Sequence, residues 1–143
     1  MSTTTAHTAT TTDTTAATTT PGAGSVLLAG AAATVAASVA TAAVAAAGQA
    51  VGISTAVAGM PIPTSGFAVL TAMFSVLGLV IALVLRRTRA PRTAWIRTTV
   101  ALTVLSFVPD VLADATVATK ALLILTHIVA AAIVIPAVAR RMA

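Results

Sequence analysis

At 143 residues, 58% hydrophobic and 8% charged, with a mean hydropathy of +1.04, the chain is too apolar for an ordinary soluble domain. If most of it forms spans, no room remains for a separate catalytic domain. A net charge of +5 and a pI near 11.9 suggest nucleic acid, but the basic residues are confined to the ends of apolar runs and aromatics make up only 3%, so base stacking is excluded. The absence of cysteine excludes disulfides, thiolate metal sites and electron shuttling through cysteine pairs.

Residues 1–24 form a threonine and alanine tract that ends in Pro21, Gly22 and Gly24. It has too few large apolar side chains to offset the entropy of ordering and is predicted to be a disordered cytoplasmic tail. It lacks the basic n-region and apolar core of a secretory signal. His7, alone in it, has no partners for metal or proton chemistry.

Residues 25–143 are predicted to be one transmembrane domain, an all-α four-helix bundle. A hydrocarbon core of about 30 Å takes roughly 20 helical residues. The first uncharged run, about 26–51, is long enough. In it Gly30, Thr34, Ser38, Thr41, Ala45 and Gly48 recur every three or four residues, a stripe of small side chains where another helix can approach closely. Gln49 near its end suits interfacial hydrogen bonding.

Gly52 to Ser65 holds Gly59, Pro61 and Pro63 without a charge and reads as a loop, with Val57, Met60 and Ile62 able to meet the membrane. Ser65 is placed to cap the second span, about 67–85. An abrupt charge boundary follows: Arg86, Arg87, Arg89, Arg92 and Arg97, interrupted by Pro91, with Trp95 at the level of an interfacial anchor. A third span is expected over about 95–112 and a fourth over about 120–138, closed by Arg140 and Arg141. Seven arginines (five plus two) then lie on one side and Lys120 alone on the other, which predicts cytoplasmic termini in the plasma membrane.

That imbalance disfavours small four-helix multidrug transporters, which insert in both orientations and carry an acid in the first span. A four-helix haem carrier needs histidines on facing helices, and only His127 lies in a span.

Chemistry concentrates between spans three and four. Pro109 lacks a backbone donor and disfavours helix at Val108, so the third helix should kink or finish there. If it continues, Ser106, Asp110 and Asp114 share a face; if it stops, the acids lie in a short outer loop. Lys120 and His127, seven apart, face one way. Ionisable groups at membrane depth default to functional hypotheses. Asp110, Asp114, His127 and Lys120 therefore form a candidate polar cluster. It reads structurally, with Asp114 capping the fourth helix, Asp110 pairing with Lys120 and His127 acting as polar glue. Alternatively it is a proton or cation site open to the outer face. One histidine and two carboxylates are too few for a divalent ion without water or a second subunit. No hydrolase spacing or glycine-rich phosphate cradle appears, so neither catalysis, a metal nor a cofactor is expected.

The run Leu105, Ser106, Phe107, Val108, Pro109, Asp110, with Asp114, Ala115 and Thr119, then His127 and the segment from Ala130 to Pro136, resembles a family of small four-span membrane proteins of unknown function common in high-GC bacteria. The likeness covers about residues 25–140. It implies an integral membrane protein without an assigned activity. The residues themselves favour a structural or accessory component that packs with itself or a membrane partner through the stripe of the first span; the alternative is a small proton- or cation-coupled transporter or channel subunit.

Overall fold

In hydrocarbon, every backbone N–H and C=O must be paired within the chain, so long uncharged runs can cross only as helices or closed barrels. The computed structural model, which describes residues 22–142, forms four helices. These are α1 (Ala23–Ala50), α2 (Thr64–Leu85), α3 (Pro91–Leu112) and α4 (Val117–Ala139). Each is long and apolar enough to span a membrane. At 1.5 Å per residue the shortest is about 33 Å long. The expected disordered tail and His7 lie outside the described residues, except that α1 already begins at Ala23.

Each helix starts three or four residues before its expected position: 23 against 26, 64 against 67, 91 against 95 and 117 against 120. The polar ends account for this. Pro91 opens α3 at its first turn, where its missing donor costs nothing and its φ suits a helix. Ser65 does not cap α2, which begins at Thr64 after Pro63. Both interior prolines, Pro109 and Pro136, stand three residues before the end of their helices. That close to a C-terminus, a proline removes a bond from the fraying last turns rather than breaking the helix.

The helices run up, down, up, down. α1 packs on α2 and α4, and α3 packs chiefly on α4. Val26, Ala82, Trp95, Val138 and Met142 form one apolar cluster, which joins the start of α1 and α3 to the end of α2 and α4. Ala45, Phe67 and Leu123 form a second at the opposite end. Both ends of the described chain and all seven arginines therefore lie on the side of the first cluster.

The small-residue stripe lies inside this bundle. Gly30, Thr41, Ala45 and Gly48 are buried and Thr34 and Ser38 half-buried. A Cβ at Gly30 would overlap Leu79 of α2, and one at Gly48 would come within 2.8 Å of Leu122 of α4. Thr41 and Thr71 join α1 to α2 through their hydroxyls at 2.9 Å. The stripe is thus occupied by the chain's own helices.

The segment between α1 and α2 is not only a loop. Ala56–Val57 and Met60–Pro61 pair antiparallel around Ala58 and Gly59, both with positive φ (50° and 75°), as a two-residue hairpin of this hand requires. Val57 and Ile62 pack on the second apolar cluster, while Met60 is 72% exposed.

Candidate functional site

Asp110 lies in the last turn of α3 and His127 ten residues into α4, about 15 Å along it. The antiparallel packing of the two helices brings their side chains together: His127 Nδ1 stands 2.8 Å from Asp110 Oδ2. Asp110 is 8% exposed, whereas the His127 side chain is 38% exposed. Phe107, one turn before Asp110, meets the imidazole edge-on with ring centroids 6.4 Å apart.

The Nδ1 atom has a second acceptor. The Leu123 carbonyl, one turn back on α4, lies 3.1 Å away and in line for a hydrogen bond. Two acceptor oxygens around one ring nitrogen place the proton on Nδ1. The contact with Asp110 is close, yet Oδ2 is buried without a hydrogen bond of its own. Proton exchange between the carboxylate and the imidazole would require the Nδ1–H to turn from Leu123 O toward Oδ2.

The other members of the predicted cluster lie apart from this pair. α3 continues past Pro109 but ends at Leu112, so Asp114 never joins the face of Ser106 and Asp110. It sits exposed in the connection to α4, where its carbonyl accepts from Ala58 N–H at 2.8 Å. Nor does it cap α4. Thr116 does so, accepting from Thr119 N–H at 3.2 Å. Lys120 does not pair with Asp110; its Nζ donates to the Val111 carbonyl at 2.8 Å. That contact satisfies an orphan carbonyl and places a cation at the negative end of the α3 dipole. Ser106 donates to Thr103 O within its own helix. Among the described residues no group of three or more histidines and acids is arranged to hold a metal.

Two features escape sequence reasoning. Trp95 is a core residue rather than an interfacial anchor, only 1% exposed, and its indole N–H donates to Ile135 O at 3.0 Å. Gly78 of α2 lies against the ring, where a Cβ would make an ordinary contact at 3.8 Å. At the opposite end the hairpin is stitched down by hydroxyls: Gln49 Nε2 donates to Thr55 Oγ1, Thr55 to Ile62 O, and Thr119 to Ser54 O at 2.7 Å. Only Gln49 gave a signal in the sequence. Isolated threonines do not announce partners 65 residues away.

Of the arginines, Arg87, Arg89, Arg92, Arg97, Arg140 and Arg141 are exposed and Arg86 half-buried.

Fold and site together define a multi-pass α-helical membrane protein with an aspartate and histidine in contact within the bundle. The chain belongs to DUF6069, a family of unknown function, which matches residues 21–143. No curated protein and no solved structure is detectably similar to it.

Proposed function

We propose that this is a structural or accessory component of the plasma membrane of a high-GC bacterium, not an enzyme, with both termini cytoplasmic. It works without a cofactor and meets the bilayer, itself or another membrane protein through its outward faces. The observation that supports this is where the polar side chains turn. Thr41, Thr71, Trp95, Thr119 and Lys120 all bond within the bundle, so they fasten helices instead of facing a ligand. In lipid, such bonds and close packing supply much of what the hydrophobic effect supplies in water.

One observation favours a second reading, a proton-coupled transporter or channel subunit: the Asp110 and His127 contact, with Asp110 Oδ2 lacking a hydrogen bond. Reconstitution in liposomes with an internal pH dye tests both. For the structural role, wild type leaves an imposed pH gradient intact, and Asp110→Asn and His127→Gln lower thermal stability. Gradient dissipation by wild type that disappears in either variant while it stays folded would overturn that role in favour of proton coupling.

A further inference from the structure

An open groove of about 420 Å³ runs between α3 and α4, walled by Val100, Thr103 and Val104 on one side and Ile128, Ala132 and Pro136 on the other. It is apolar by construction. Thr103 turns its hydroxyl back to Thr99 O at 2.8 Å, which leaves its methyl for the groove. From Ile128 to Pro136 the groove follows eight residues of α4, about 12 Å along the helix axis.

The helical register continues this groove into charge. Arg97 lies three and seven residues before Val100 and Val104, on the same face of α3. Arg140 lies four and eight residues after Pro136 and Ala132, on the same face of α4. Both arginines are exposed, and both stand at the arginine-bearing end of the bundle. Asp110 and Asp114, the acidic side chains among the described residues, belong to the other end, so among the described residues no acidic side chain competes for these guanidinium groups. An apolar slot that opens toward two planar cations matches an amphiphile with an acyl chain and an anionic head. Arginine suits the phosphate because its fork of donors binds two oxygens at once.

We propose that the α3–α4 groove binds one acyl chain of an anionic phospholipid, with the headgroup phosphate held between Arg97 and Arg140. The site uses lipid-facing residues and is independent of the Asp110 and His127 pair.

The test measures binding of phosphatidylglycerol and of phosphatidylcholine with identical chains to the purified full chain in detergent, by native mass spectrometry. Phosphatidylglycerol should bind at least about tenfold more tightly, because phosphatidylcholine carries the same phosphate but its choline cation is repelled by the two guanidinium groups. Arg97→Gln with Arg140→Gln should abolish that preference. Arg87→Gln with Arg89→Gln, which removes the same charge from the α2–α3 connection, should preserve it. Ala132→Leu, at an exposed position where added bulk occupies the groove without entering the core, should weaken both lipids. Equal loss from both arginine pairs would reduce the effect to general charge attraction and overturn the site. So would full competition by glycerol phosphate, which has the head but no chain, or an Ala132→Leu protein that binds both lipids as wild type does.

Discussion

Asp110 and His127 meet across two helices, and what their contact contributes depends on what each would do alone. A buried polar group deprived of its partner costs about 1–3 kcal/mol. Interhelical bonds within membranes average nearer about 0.6 kcal/mol, because the separated helices find other partners. We therefore expect Asp110→Ala and His127→Ala each to lower stability by about 1–2 kcal/mol. The double variant should lose less than the sum, with a coupling of at least about 0.5 kcal/mol, measured by unfolding in a bilayer mimetic. Additive losses would mean that the two side chains are neighbours without being partners. Trp95 offers a second test at this scale. Trp95→Phe keeps most of the ring but removes the N–H that reaches Ile135 O, a loss of about 1 kcal/mol. Trp95→Ala also empties the buried site and should cost about 3–5 kcal/mol. An interfacial anchor would show neither the size of the second effect nor the gap between the two.

At the scale of elements, the glycines of α1 and the turn of the hairpin make opposite predictions. A Cβ at Gly30 would overlap the side chain of Leu79, so Gly30→Ala overpacks the contact between α1 and α2 and should cost about 1–3 kcal/mol. Adding Leu79→Ala reopens the space, and the pair should recover part of the loss; if it does not, the two helices do not meet at these residues. Ala58 reverses the usual direction. It holds φ at +50°, where an L side chain is strained and asparagine is preferred as the first residue of this hairpin turn. Ala58→Asn should therefore raise the unfolding temperature, while its N–H keeps its bond to Asp114 O. The four spans were legible because long uncharged runs have few alternatives in lipid. Their ends were not, since Thr64, Arg92 and Thr119 count as polar by residue type yet lie inside the helices. Of the candidate site, the sequence carried residue types and helix faces. It could not carry the crossing of α3 on α4, which selects His127 for Asp110 and leaves Asp114 and Lys120 to the connection and the α3 terminus.

For the whole molecule the governing asymmetry is charge. The up-and-down topology gathers all seven arginines with both ends of the described chain and leaves Lys120 and the hairpin at the other end. Arginines near span ends bias insertion so that they stay in the cytoplasm, which would put the hairpin outside. Because the chain has no cysteine, a single introduced thiol reports its side without background. Met60→Cys on the hairpin and Thr88→Cys in the arginine-rich connection are both exposed, and neither position contributes to either apolar cluster. A maleimide that cannot cross membranes should label the first in intact cells and the second only after lysis. The opposite pattern would place the arginines outside, and with them the lipid headgroup site of the α3–α4 groove would move to the outer leaflet. Labelling of both in intact cells would mean that the chain inserts in two orientations. An excess of seven arginines over one lysine argues against that, because each arginine carried across the bilayer adds to the cost of inversion.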